Sequence, residues 1–366
     1  MKIVFYEPQC KGIEHNKFIS STIRMVQRIF PDAEFVLFAE SELCENLSKE
    51  FVFKQIITFT LPGLTNSRLR NVRISLNFEK NNIKKIKQIG CDKLICLSVS
   101  MYTIFEISKS LKNIPVYAFF HGILESLTQK YRPYNMLYWV KPILQHESSN
   151  IHNIVLGDCI KNNLIEKIPS LTRSTVSVDL VYPCIINEIK PMNEKIRFAG
   201  IGFGLKEKGS DFIFELSEKF SEKAEFVHIG KMDNGLVPEK TNVRIPAKDT
   251  PLSTQEFDQM VDSIDYGLYF YDLEKYKLTA SGAIFDALTH GKPVICLCTT
   301  YFEYIFKKLG SVGYLCDSKE EMISVVRSII EEHDELKYLE QQKTIEANIW
   351  KFSEDEIQKR LKEILR

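Results

Sequence analysis

Short apolar runs alternate with longer amphipathic stretches along the whole chain, the pattern of parallel α/β layers. In the front half this predicts strands at 2–6, 34–39, 93–98, 115–120 and 152–156, separated by helical stretches such as Ile19–Phe30. The back half repeats the scheme, with strands at 196–199, 225–229, 266–270 and 293–298 and helices near 211–222, 254–263 and 281–290. Between the halves, Val181–Ile185 and Lys190-Pro191 carry the prolines of a domain boundary, giving domains over 1–184 and 185–352 with a hinge near 183–191. The tail has its own logic. Ser353 and Glu356 have capping-box spacing, and Ile357, Leu361, Ile364 and Leu365 make one apolar stripe, so a helix over 353–366 is expected to pack back on the first domain.

Composition narrows the function classes. A chain of 366 residues, 44% hydrophobic and 26% charged, is a soluble globular protein of two domains. Its 48 basic residues balance 48 acidic ones, which argues against a nucleic-acid partner. The balance hides an asymmetry, since residues 1–184 carry 23 Lys/Arg against 16 Asp/Glu and the remainder compensates. The basic half suggests weak contact with an anionic membrane, together with the aromatic-basic segment Lys130–Tyr134, Tyr138, Trp139 and Lys141. Nine cysteines without a Cys-x-x-Cys pair read as reduced thiols, no run is long enough for a membrane span, and Met1 leads directly into a strand. A cytoplasmic protein is expected. The scattered histidines give no metal-ligand spacing.

Open parallel sheets bind ligands at the carboxyl ends of their strands. The first such turn, Glu7-Pro-Gln-Cys-Lys-Gly12, holds one glycine and lacks the dinucleotide fingerprint, which excludes a hydride-transfer enzyme. The richest stretch is Tyr276–Ile295. Thr279 or Ser281 caps a helix whose apolar face is Ala283, Ile284, Ala287 and Leu288, and Gly291 ends it before Pro293. Ser281-Gly282 at the start would let an anion approach, and Asp286 one turn on could accept hydrogen bonds from a ribose. An ordinary capped helix with a surface Asp fits the same residues.

That stretch resembles the donor-site helix of GT-B nucleotide-sugar glycosyltransferases, particularly the large retaining group with a Glu-x7-Glu motif. Further landmarks follow in the same order. Phe198–Gly204 with Lys208-Gly209-Ser-Asp211 resembles the opening of that group's second domain, and Phe226–Gly230 its next strand and turn. Asn242–Ile245 and Asp265–Phe270 resemble the strands flanking its base pocket, Phe120-His121-Gly122 its active-site histidine turn, and Tyr182-Pro183-Cys184 its linker entry. Two departures stand out. Asp286 falls on the second Glu, but the first falls on Leu278, and the arginine that partners the lysine on the diphosphate falls near Gly202.

The resemblance implies a fold of two Rossmann-like, doubly wound domains facing a cleft. It also implies transfer of a sugar from a nucleotide-diphosphate sugar to a hydroxyl of a glycan, glycolipid or polyprenyl-linked acceptor. No cofactor and no catalytic metal are expected. Gly204, Lys208, Gly230, Lys277, Ser281, Gly282 and Asp286 are the expected donor-site residues, with Lys208 on the diphosphate and both Lys208 and Asp286 outside any core. His121, Glu14 and His15 are the expected acceptor-side groups, with Glu14 and His121 the candidate general bases. The missing acid and arginine leave an alternative, a non-catalytic GT-B subunit that binds a sugar or a partner protein.

Overall fold

A computed structural model describes all 366 residues except 13, 129–143, 145–149, 184–187, 249, 251 and 272–275. The aromatic-basic segment Lys130–Lys141 and Cys184 lie outside the described residues. The chain divides into two compact units: Met1–Val181, Leu278–Ala280 and Glu354–Arg366 form the first, and Tyr182–Lys277 with Ser281–Ser353 the second.

The first unit is built on a parallel sheet of β1 (Lys2–Glu7), β2 (Glu34–Glu40), β3 (Gln55–Phe59), β4 (Lys93–Cys96), β5 (Val116–Phe120), β6 (Ile151–Leu156) and β7 (Thr175–Val178). Their order is β3-β2-β1-β4-β5-β6-β7. Successive strands run out from β1 in one direction and from β4 in the other, so the chain ends of β1 and β4 flank the switch point where such sheets take ligands. The central strands are buried along nearly their whole length, which is why they read as unbroken apolar runs. The terminal helix Glu354–Leu365 belongs to this unit. It buries Ile357, Leu361 and Leu365, and its first turn pairs with the Asn16–Ile29 helix through Arg24–Glu354 and through Arg28, 3.4 Å from both Glu354 and Asp355.

The second unit holds β8 (Arg197–Ile201), β9 (Glu225–Ile229), β10 (Tyr266–Tyr269), β11 (Val294–Leu297) and β12 (Gly313–Cys316), parallel, in the order β12-β11-β10-β8-β9. Its switch point lies between β8 and β10. Phe198, Phe226 and Tyr266 stack across the three strands with ring centres 5.4 and 5.9 Å apart, on a core completed by Phe212, Phe220 and Tyr338.

Several expectations need correction. The pattern passes over β3, β7 and β12, all of them at sheet edges. Residues 242–245 form no strand, only an isolated bridge from Val227 to Arg244. Neither Thr279 nor Ser281 caps the following helix, which covers Ala283–Leu288 and starts at Gly282 without a side-chain cap. Both hydroxyls are committed elsewhere, Ser281 to Tyr271 and Thr279 to Glu125. The helix stops at Thr289, two residues before Gly291. Among the described residues every cysteine is a free thiol, and no helix is long and apolar enough to cross a membrane.

Candidate functional site

In the second unit the chain leaves β8 through Gly202-Phe203-Gly204. The turn after β9 presses against it: Gly230 adopts φ +127°, and a Cβ there would lie 2.3 Å from the Gly202 carbonyl oxygen. Only glycine lets the two turns meet. Gly204 is tied down by its N–H, which donates to the Lys231 carbonyl at 2.8 Å. A single 3-10 turn, Lys206–Lys208, follows and ends at Gly209. Gly209 has φ +66°, and its Cβ position is 2.7 Å from the Phe270 carbonyl oxygen, so glycine again permits the approach.

This approach holds Lys208 against the end of β10, with Nζ 5.7 Å from the centre of the Tyr271 ring. Lys208 is half-buried, and burial pulls its pKa below the ordinary lysine value. Among the described residues no carboxylate pairs with it. Lys208, Ser210, His228, Tyr271 and the backbone of Gly200 line a cavity of about 10 Å³ at the carboxyl ends of β8 and β10. That is room for about one water.

The remaining donor-side candidates surround this cavity unevenly. Ser281 donates to the Tyr271 hydroxyl at 3.1 Å, linking it to the ring beneath Lys208. Lys277, half-buried, follows Tyr276, whose ring stacks on Tyr271 at 4.7 Å. Gly282 starts a helix of only six residues, too short for much dipole to accumulate. Asp286 does not line the cavity. It is 8% exposed, a correction to the expectation that it lies outside a core, and it accepts a hydrogen bond from the Tyr182 hydroxyl at 3.2 Å. The Tyr182 ring stacks on Phe285 at 5.5 Å, so the residue that opens this unit fixes the carboxylate's direction.

In the first unit His121 follows β5. Its Nε2 meets the Leu97 carbonyl at 2.9 Å, and because a carbonyl only accepts, Nε2 carries the proton and Nδ1 is the acceptor in the neutral ring. Burial, with His15 acting in the same direction, pushes its pKa down to about 4. A neutral imidazole with so low a pKa is a poor general base near pH 7, which counts against that role for His121. The His15 ring lies 5.1 Å from it and Phe18 4.8 Å. His15 is exposed and opens the Asn16–Ile29 helix at φ 53°, a left-handed conformation that costs roughly 1–3 kcal/mol in a non-glycine residue. Glu14 is exposed and accepts from the Lys11 N–H at 3.1 Å. The structure thus brings His15 and His121 together and ties the Glu14 carboxylate to its own loop.

Two carboxylates escaped the sequence reading. Glu7, at the end of β1, is fully buried; its Oε1 accepts from the N–H groups of Gln9 (2.9 Å) and Cys10 (3.1 Å) and from the Ser98 hydroxyl, while burial raises its pKa. Glu125, in the 3-10 turn after His121, accepts from the Leu278 N–H and from the Thr279 hydroxyl at 3.2 Å. Leu278, at the position of the motif's first acid, is itself completely buried. An acid at a strand end or just past a His-Gly turn was the available signal for both. Among the described residues no group of three or more His, Cys, Asp or Glu could hold a metal ion.

No protein-family model matches the sequence, and no curated protein matches it. Solved structures match over the whole chain. HepE of Anabaena, in complex with UDP and glucose, has a TM-score of 0.73 at 12% identity, covering 100% of this chain and 99% of its own. WaaG, a glycosyltransferase involved in lipopolysaccharide biosynthesis, has a TM-score of 0.67 at 12% identity over 100% and 99%. A glycosyltransferase from Rickettsia africae has a TM-score of 0.66 at 12% identity over 99% and 97%. At such identity the likeness is one of fold.

Proposed function

Starting from a chain with the GT-B fold of these structures, we propose that the protein is a glycosyltransferase acting on a nucleotide-diphosphate sugar. The observation that carries this reading is Lys208, a half-buried cation without a carboxylate partner among the described residues, held by Gly209 at the switch point of the second sheet. Open sheets take nucleotides at that place. UDP and glucose in HepE, and UDP-glucose in another HepE complex, are ligands of the kind such a cation would meet.

In the reaction an acceptor hydroxyl attacks the anomeric carbon, the bond from that carbon to the diphosphate breaks, and the hydroxyl proton leaves to a base or to solvent. Lys208 stabilises the negative charge that grows on the leaving oxygen, so the reading assigns this work to a side chain and requires no metal. Asp286, oriented by Tyr182, accepts from ribose hydroxyls. His15 and His121 meet the acceptor, a hydroxyl of a glycan, glycolipid or polyprenyl-linked sugar. His121 contributes its Nδ1 as a hydrogen-bond acceptor rather than as a strong base.

The first unit would work against an anionic membrane on its cytoplasmic side. Support comes from the Arg68–Ile89 helix, where Arg68, Arg70, Arg73, Lys80, Lys84, Lys85 and Lys87 are all exposed and its one acid, Glu79, is buried. Leu64 and Leu69, 69% and 59% exposed, sit at its start.

A second reading, a non-catalytic GT-B subunit, is favoured by the buried Leu278 where the motif has an acid. Hydrolysis of sugar nucleotides, with thermal shifts on UDP, GDP and CMP, separates the two. Turnover with a matching stabilisation is expected; stabilisation without any turnover on a panel of sugars and acceptors supports the subunit, and no stabilisation by any nucleotide refutes the donor site.

A further inference from the structure

The donor reading gives Lys208 a role and leaves one buried group on the same cavity without any. His228 is the penultimate residue of β9, opposite Gly200 of β8, and is 3% exposed. Its Nε2 is buried and has no hydrogen-bond partner among the described residues. The ring fits only because its neighbours have no side chains: a Cβ on Gly200 would lie 3.0 Å from Nδ1, and one on Gly204 2.9 Å from Nε2. The imidazole therefore sits under the Gly202–Gly204 turn and shares the cavity wall with Lys208 and Ser210.

An unsatisfied buried polar nitrogen is costly, and an aliphatic side chain would fill this strand position without that cost. Among the described residues Lys208 on the same cavity likewise has no carboxylate partner. One anionic oxygen would satisfy both groups at once, because each can present a hydrogen to it.

Resting on the donor site described above, we propose that His228 is a second ligand of the donor's diphosphate, its Nε2 donating to an oxygen of the phosphate that Lys208 meets. The site is also proton-linked. Burial, with the charge of Lys208 acting in the same direction, holds the imidazole pKa down at about 4 against the pull of the Lys231 and Gly202 carbonyls. Among the described residues the other titratable groups on the cavity are the Tyr269 and Tyr271 phenols, which burial keeps neutral. A bound diphosphate adds opposite charge beside the ring and offsets Lys208, so the imidazole pKa rises and a proton is taken up from solvent.

The test uses the full chain with UDP-glucose and GDP-mannose, whose diphosphates have no group titrating between pH 5 and 8. Affinity is measured by calorimetry across that range in two buffers of different ionisation enthalpy, for wild type, His228→Gln and His228→Leu, with the parent nucleosides as controls. Wild type should bind more tightly toward pH 5 with net proton uptake. His228→Gln, which keeps a neutral donor, should lose the pH dependence while staying within a few-fold of wild type at pH 8. His228→Leu should lose about tenfold for the sugar nucleotide and nothing for the nucleoside. Should a variant misfold, the wild-type imidazole C–H resonances remain informative, and one titration should move upward on adding the sugar nucleotide. Wild type that binds with no proton uptake, together with variants of unchanged affinity, overturns the role of His228 and leaves the donor site standing. Wild type that binds neither sugar nucleotide overturns both.

Discussion

Lys208 and Asp286 should fail differently when replaced, because one is a cation with no carboxylate partner among the described residues and the other a buried, hydrogen-bonded acid. Lys208→Ala should spare nucleoside binding, weaken the diphosphate, and slow turnover beyond its binding cost, since charge grows on the leaving oxygen in the transition state. Asp286→Asn keeps the size but loses a charged acceptor, worth about 1.5–3 kcal/mol per hydrogen bond. Nucleoside mono- and diphosphates should therefore weaken about equally, by roughly tenfold or more. The Tyr182 contact adds a modest loss of stability for Asp286→Asn that Lys208→Ala lacks. Equal affinity of both variants and wild type for all nucleotides would refute the assignment. A third residue carries a pH effect. Glu79 is 3% exposed and accepts from Tyr6 and Thr103 at 2.8 Å, yet burial raises its pKa from 4.5 to about 7. Between those values the native state binds more protons than the unfolded chain, so unfolding free energy falls as pH rises, by at most about 1.4 kcal/mol per pH unit. In denaturant titrations from pH 4.5 to 7 this slope should appear in the difference between wild type and Glu79→Gln, because buried His121 and His228, with pKa values pushed down to about 4, contribute slopes of the opposite sign to both proteins alike. At this scale the sequence displayed Lys208, because Lys-Gly at a helix approach is a local pattern. It concealed Glu79, Glu125 and the His228 cavity, whose partners are distant in the chain: Thr103 for Glu79, Leu278 for Glu125, and Lys208 and Tyr271 beside His228.

Elements were legible in proportion to their burial on both faces. β1, β4 and β5 are continuous apolar runs because neighbours cover both edges and helices both faces. The overlooked β3, β7 and β12 each pair on one side only, and β3, with Gln55, Ile56 and Thr58 exposed, has no run to recognise. β7 hides differently, since its buried positions include Thr175 and Ser177. The Arg68–Ile89 helix shows another limit. Its apolar contacts are few, but seven exposed cations on one element define a surface. If it meets an anionic bilayer, each cation near the surface contributes about 1 kcal/mol, screened within a Debye length of about 10 Å at 0.1 M salt. Sedimentation with vesicles containing phosphatidylglycerol should pellet the protein at low salt and release it at high salt. Arg73→Glu with Lys80→Glu and Lys84→Glu should abolish pelleting, and Leu64→Ser with Leu69→Ser should weaken it. Absence of pelleting by wild type at low salt would refute membrane contact through this helix.

The whole chain crosses between its two units four times, at 181/182, 277/278, 280/281 and 353/354, so neither unit is one continuous segment. The first unit in particular is completed by the last helix of the chain. Removing residues 354–366 would delete Ile357, Leu361 and Leu365, all within 4% exposure, and uncover the side of the Asn16–Ile29 helix they cover. Fully burying such side chains stabilises by about 1.5–3 kcal/mol each, so the loss approaches the total stability of an ordinary domain, about 5–15 kcal/mol. The ion pairs of Glu354 and Asp355 with Arg24 and Arg28 add less, being partly exposed. The second unit retains every residue it contains, including Lys208, His228 and Asp286, because it ends at Ser353. A chain of residues 1–353 should therefore melt in two transitions, the first far below the wild-type midpoint. Nucleotide should shift only the upper one, since binding raises the stability of the unit that holds the site. Hydrogen exchange provides the residue-level check: amides of β1 and β4 should lose protection while those of β8 and β10 keep it. A single transition at the wild-type midpoint would mean that the terminal helix contributes nothing to the first unit. Loss of nucleotide binding in a folded second unit would mean instead that the donor site needs residues from the first.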